Sequence, residues 1–228
     1  MGSVVSSPQY SVGDYRFMAD ALRLAKKGFY TTHPNPRVGC ILVKDGNKLS
    51  EGWHEKAGQA HAEIVALQLA GEQSRGATAY VTLEPCAHHG RTPPCADALV
   101  EAGVKEVIIA MQDPNPLVAG QGISILEQAG IKAKCGLLEQ QAEELNRGFV
   151  SRMKSGRPWV TVKLGASIDG RSAMKSSESQ WITGAEARQD VQRLRAASST
   201  ILTGSGTVLA DDPSLTVRLA DVSRQPLR

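Results

Sequence analysis

No stretch of this 228-residue chain approaches the run of about 20 apolar residues needed to cross a bilayer, so a membrane-spanning helix is not expected. The N-terminus lacks the apolar core of a signal peptide. The four cysteines, Cys40, Cys86, Cys95 and Cys135, do not have the spacing of a disulfide framework, which argues against a small secreted scaffold. Charge of one sign is also scarce. The net charge is +3 and the basic residues are dispersed, a balance that points to neither nucleic acid nor a membrane surface and leaves room for a small anionic substrate. There are no internal repeats and no low-complexity run. These absences leave a reduced, cytoplasmic globular protein as the expectation.

A hydrophobic content of 41% can supply a core, and 228 residues accommodate one domain of about 150 residues and part of a second. Residues 1–12 are polar and aperiodic and are expected to form a flexible tail. Apolar spacing predicts a helix over 14–28, and strands over 38–43 and 48–53 flank the hairpin signal Asp45-Gly46. A helix over 61–70, a strand over 77–83, a helix over 95–102 and a strand over 107–111 follow. Further on come a helix over 119–129, a strand over 131–135 and a helix over 138–153. This alternation implies an α/β sheet with helices on both faces. The turn-rich Lys154-Ser155-Gly156-Arg157-Pro158 marks a boundary, giving a first domain over 13–155 and an incomplete second one over 156–228. In the second, strands are predicted at 159–164 and 200–203 with a helix at 185–197 between them.

The chemistry concentrates in His61-Ala62-Glu63, Pro85-Cys86 and Cys95. One imidazole and two thiolates can hold a zinc ion while leaving a fourth position open, and an open position distinguishes a catalytic zinc from a structural one. Zinc held in this way activates water toward a ring carbon bearing an exocyclic amine, and Glu63 supplies a carboxylate able to shuttle the proton. The set follows the H-x-E and P-C signature of zinc nucleobase deaminases, with a longer Cys–Cys gap. Taken singly, each residue has a plainer reading as a buried thiol or a core histidine. A four-coordinate structural zinc is the other alternative, with His88 or His89 as fourth ligand.

The segment from Thr82 to Cys95, with Glu84-Pro85-Cys86-Ala87-His88-His89-Gly90-Arg91-Thr92-Pro93-Pro94 between, closely resembles the bifunctional deaminase/reductase family of bacterial riboflavin biosynthesis. So do His33-Pro34-Asn35-Pro36-Arg37-Val38-Gly39 and Asp113-Pro114-Asn115-Pro116-Leu117-Val118-Ala119-Gly120. The resemblance implies a cytidine-deaminase-like three-layer αβα sandwich followed by the start of a dihydrofolate-reductase-like α/β domain. The activities it implies are hydrolytic deamination of a phosphoribosylaminopyrimidine and, in the full-length protein, NADPH-dependent reduction of the ribosyl group. One zinc per chain and NADPH are the implied cofactors, and a homo-oligomer the implied assembly.

By the same resemblance, Asn35, His54, His88, Arg91, Asp113 and Asn115 contact the deaminase substrate. Gly165, Ala166, Trp181, Thr207 and Asp211 face NADPH, while Lys163, Ser179, Arg195, Leu215 and Arg218 face the reductase substrate. Gly204-Ser205-Gly206 lacks the third glycine of a dinucleotide fingerprint, because Leu209 stands there. A complete NADPH site is not assembled from these residues, and reduction is not expected of this chain alone. Two other functions compete: a deaminase of nucleosides or tRNA, disfavoured by the long Cys–Cys insert and the missing basic patch, and an idle zinc-binding module.

Overall fold

The structure, a computed structural model, describes residues 9–88, 94–220, 222 and 224–228. It divides into two compact units, one reaching Trp159 and the other beginning at Val160.

The first unit opens on helix α1 (Val12–Ala25), which continues into a 3-10 turn at Lys26–Gly28. The expected tail lies outside the described residues as far as Pro8, but its last residues are held. The Tyr10 hydroxyl donates to the Cys135 carbonyl at 2.9 Å, and Ser11 and Asp14 form a reciprocal capping box. Strands β1 (Gly39–Lys44) and β2 (Asn47–Trp53) form the expected hairpin. Asp45 and Gly46, at φ 50° and 75°, adopt the left-handed pair that suits a two-residue turn between twisted strands.

Helix α2 (Ala62–Ala70), strand β3 (Thr78–Val81), helix α3 (Cys95–Glu101) and strand β4 (Glu106–Ile109) follow, then helix α4 (Gln121–Gln128) and strand β5 (Lys132–Cys135). The sheet order is β2-β1-β3-β4-β5, antiparallel across β2-β1-β3 and parallel across β3-β4-β5.

Both faces of this sheet are covered, which explains why Cys40, Ile41, Leu42, Val43 and Val107, Ile108, Ile109 are buried as unbroken runs rather than in alternation. A Cβ on Gly39 would lie 2.1 Å from the Ala21 carbonyl of α1, and one on Gly52 would lie 2.4 Å from the Ala62 carbonyl of α2. Gly52 pairs with Cys40, the residue after Gly39, and consecutive strand residues point to opposite faces. Helix α1 therefore covers one face and α2 the other, with α3 packed between α2 and α4. This is the three-layer αβα arrangement.

The helix expected over 138–153 is broken into α5 (Glu139–Leu145) and α6 (Arg147–Ser155). The break falls at Asn146, whose backbone leaves the helical region at φ −114° and ψ 20°. Its side chain, fully buried, accepts the Arg37 N–H at 2.8 Å and donates to the Arg37 carbonyl at 2.9 Å, which ties the junction between the two helices to the loop before β1.

The second unit contains α7 (Ala185–Ala197) and α8 (Ser205–Asp211), the latter not foreseen. The strands expected at 159–164 and 200–203 do not form; among the described residues of this unit, β-pairing is limited to one isolated bridge between Thr200 and Leu227. A strand exists only through a partner's ladder, and Val160, Val162 and Leu164 have neither ladder nor cover. Of the hydrophobic residues described here, Ala196 and Val217 are buried.

The close approach at Gly52 gives a direct expectation. Gly52→Ala should destabilise the chain by about 1–3 kcal/mol, the usual range for forcing a methyl into a packed site. Gly148→Ala, on α6 with open space around it, should be neutral or slightly stabilising. Urea denaturation of both variants checks the pair, and an unchanged midpoint for Gly52→Ala would contradict the packing described.

Candidate metal centre

The topology brings distant segments to one edge of the sheet. Because β1 runs antiparallel to β2 and β3, the start of β1 lies beside the ends of both, with Gly39 opposite Trp53 and Cys40 opposite Val81. The parallel β4 ends there too, Val81 standing opposite Ile109. The loop 33–38, His54, His61, the Cys86 loop and the Asp113 loop therefore open at the same edge, as sites do at the carboxyl ends of parallel strands.

His61 is the N-cap of α2, extended at φ −75° and ψ 161°. Its side chain leaves the helical screw, so a residue two positions along can share its site, which would not happen within a helix. Its Nδ1 lies 3.2 Å from the Cys95 sulfur and 3.6 Å from that of Cys86. The three donor atoms lie within 4.8 Å of one another. Cys86 accepts the first two N–H groups of α3: the Cys95 N–H on its sulfur at 3.3 Å and the Ala96 N–H on its carbonyl at 3.2 Å.

These contacts shape the protonation of the cluster. Hydrogen bonding from Cys95, together with His61, pulls the Cys86 thiol well below its ordinary range, whereas the same hydrogen bond and burial push Cys95 up. His61 is raised, chiefly by its hydrogen bond to Cys86. One imidazole and two free thiols, converging within 4.8 Å of one another, form a donor set suited to zinc.

Glu63, 3% exposed, sits in the first turn of α2. Burial pushes its carboxyl up to about 7, against the opposing hydrogen bonds from its own N–H and from Cys95. A carboxyl in that range can both accept and release a proton near neutrality.

His54 and Asn35 are brought together beside this cluster. His54 donates from Nδ1 to the Ala60 carbonyl at 3.0 Å, which leaves Nε2 to accept from Asn35 Nδ2 at 3.1 Å, and its ring stands edge-on to His61. Burial lowers the His54 pKa, keeping this neutral tautomer. The Arg37 clamp on Asn146 fixes the same loop from behind, and Arg37 Nη1 adds a bond to the Leu145 carbonyl at 2.8 Å.

Asp113 and Asn115 share a tight turn in which Asp113 Oδ1 accepts the Asn115 N–H at 2.9 Å. Asp113 is raised by burial and by Glu84, with exposed His88 opposing, so these groups sense one another across the site. Arg91 lies outside the described residues. Glu84 is a site-edge residue that sequence reasoning missed: a lone acidic residue at a strand end carries no periodic signal.

In the second unit the predicted residues fall in separate places. Arg195 donates to the Thr216 carbonyl at 3.1 Å, and its guanidinium is lowered by burial and then by Arg218 nearby. Arg195, Arg218 and Leu215 are thus gathered where α7 meets the segment after α8, joined also by the Arg218 N–H to Gln192 Oε1 bond at 3.0 Å. Trp181 is exposed beneath the Arg188 guanidinium, and Thr207 and Asp211 lie exposed on α8. Lys163, Ala166 and Ser179 are exposed on irregular backbone, with Gly165 half-buried.

Comparison with known proteins divides the chain in the same order. Residues 12–111 match the family model described as the cytidine and deoxycytidylate deaminase zinc-binding region, and residues 158–228 match the RibD C-terminal domain. The chain is 61% identical over 212 residues to the riboflavin biosynthesis protein RibD of Escherichia coli, covering 93% of this chain and 58% of that protein. The solved structure of Acinetobacter baumannii RibD superposes with a TM-score of 0.90 at 56% identity, over 94% of this chain and 62% of that one. A Thermotoga maritima structure described as a diaminohydroxyphosphoribosylaminopyrimidine deaminase/5-amino-6-(5-phosphoribosylamino)uracil reductase superposes at 0.88 with 42% identity, over 94% of this chain and 61% of that one. The chain thus spans somewhat more than half the length of the relatives it matches. With both halves matched in this order, and His61, Cys86 and Cys95 inside the zinc-binding region, the chain belongs to the family of the riboflavin biosynthesis protein RibD.

Proposed function

We propose that this chain catalyses the hydrolytic deamination of 2,5-diamino-6-(5-phosphoribosylamino)pyrimidin-4-one in riboflavin biosynthesis. The observation that carries the proposal is the convergence of His61, Cys86 and Cys95 with a buried carboxyl, Glu63, alongside. His61 Nδ1 and the two sulfurs are the proposed zinc ligands. Zinc, when bound, supplies Lewis-acid activation of water.

The protein's own groups do the rest. Glu63 takes the proton from the attacking water and delivers it to the exocyclic nitrogen, which leaves as ammonia. Asn35 has its Oδ1 and one N–H left over after meeting His54, and these orient the pyrimidine ring. Asp113, Asn115 and His88 line the base and ribose region, and Arg91 pairs with the phosphate.

In this proposal the first unit is the deaminase domain and the second the opening of a reductase domain using NADPH. There Gly165, Ala166, Trp181, Thr207 and Asp211 face the cofactor, and Lys163, Ser179, Leu215, Arg195 and Arg218 the substrate. The proximity of two guanidiniums at Arg195 and Arg218 suits a phosphate. Association into a homo-oligomer belongs to the same proposal.

Two variants separate metal binding from proton transfer. Cys86→Ser should lose both stoichiometric zinc and ammonia release, as read by metal analysis and an ammonia assay; full zinc content in that variant would mean the ligands are different. Glu63→Gln should keep its zinc yet release ammonia from the phosphoribosyl substrate at least about 100-fold more slowly. Turnover like that of the unaltered chain would remove Glu63 from the mechanism. Ammonia release from cytidine or tRNA, with none from the phosphoribosylated pyrimidine, would replace the substrate proposed.

A further inference from the structure

We propose that Glu84 is a positioning residue that locks the substrate-facing turn Asp113-Pro114-Asn115 against the metal centre. The inference rests on the substrate contacts proposed above for Asp113 and Asn115. Glu84 is 4% exposed and stands two residues before Cys86. Its carboxylate accepts four backbone N–H groups. Oε2 takes those of Asp113 and Gly120, each at 3.0 Å, and Oε1 takes those of Gly122 at 2.9 Å and Ile123 at 3.3 Å. Its own N–H donates to the Met111 carbonyl at 2.9 Å.

One side chain thus joins the strand end that carries Cys86, the turn after β4 and the first turn of α4. Helix α4 needs this, because its N-cap is Gly120, at φ 81°, with no side chain to satisfy the leading N–H groups. A carboxylate at a helix N-terminus is favoured by the helix dipole as well.

A second observation shows how closely the pieces are pressed together. A Cβ on Gly122 would lie 2.0 Å from the Pro85 carbonyl oxygen and 3.3 Å from Glu84 Cγ. The start of α4 therefore rests on the Glu84-Pro85 backbone without a spacer, and displacement of either end moves the turn relative to Cys86. Asp113 in turn holds Asn115 through its Oδ1, so the chain of bonds runs from Glu84 to both residues. Among the described residues, every hydrogen bond that the Glu84 carboxylate accepts comes from these segments, so its effect on substrate passes through the backbone it holds.

Glu84→Gln is the test. The amide keeps one acceptor oxygen and turns an NH2 toward N–H donors on the other side. Zinc content should stay at one per chain, because the ligands are untouched. The KM for the phosphoribosylaminopyrimidine should rise by about tenfold or more, since small misplacements of positioning groups carry large penalties. Hydrogen exchange should quicken at Asp113, Gly120, Gly122 and Ile123 while amides of α2 and α3 keep their protection.

Glu84→Asp, one methylene shorter with its carboxylate intact, should fall between the two, and it carries the test if Glu84→Gln does not accumulate as folded protein. Unchanged KM and kcat in a variant that is merely less stable would overturn the proposal, as would a loss of zinc or a uniform loss of protection. The exchange measurement needs no substrate. Failure of the unaltered chain to deaminate would therefore count against the substrate reading alone, and local exchange would still decide for or against the role of Glu84.

Discussion

The reach of Cys86 back onto the start of α3 is the contact on which the site depends. Its sulfur and carbonyl satisfy the Cys95 and Ala96 N–H groups, so the same residue offers a ligand and places the next one. A thiol that already accepts an N–H is also easier to deprotonate, which is what a zinc ligand requires. His61 can complete the set because it caps α2 instead of lying within it. The sheet order then determines what surrounds the triad, since antiparallel β1 and parallel β4 deliver their loops to the same edge.

Around this centre the fold uses buried polar side chains where an ordinary core would use hydrocarbon. Asn146, fully buried, takes both backbone groups of Arg37, and Glu84 takes four N–H groups. Both lie far in sequence from the loop they hold. A buried polar group left unpaired costs about 1–3 kcal/mol, so such residues specify one loop geometry by penalising every other.

Much of this was legible in the sequence. Short apolar runs and helical spacing located the strands of the first unit, and its helices as far as α4, to within a few residues, and Asp45-Gly46 announced its hairpin. The spacing of His61, Cys86 and Cys95 brought the metal cluster into view, because soft donors beside Pro and Glu seldom coincide by chance. What stayed hidden was carried by single polar residues acting over distance: the break at Asn146 within an otherwise helical pattern, and Glu84 at the end of a strand. The strands expected at 159–164 and 200–203 show the converse. Val160, Val162 and Leu164 have strand-like alternation, but alternation describes only one partner of a ladder, and no partner strand is present among the described residues.

The central claim is a metal centre with three protein ligands and one open position. X-ray absorption at the zinc edge of the metal-loaded chain tests it most directly. The account predicts two sulfurs at about 2.3 Å, light atoms at about 2.0–2.1 Å, and the outer-shell scattering of a single imidazole. Scattering from two imidazoles, with His88 or His89 closing the coordination sphere, would make the site structural and contradict the account.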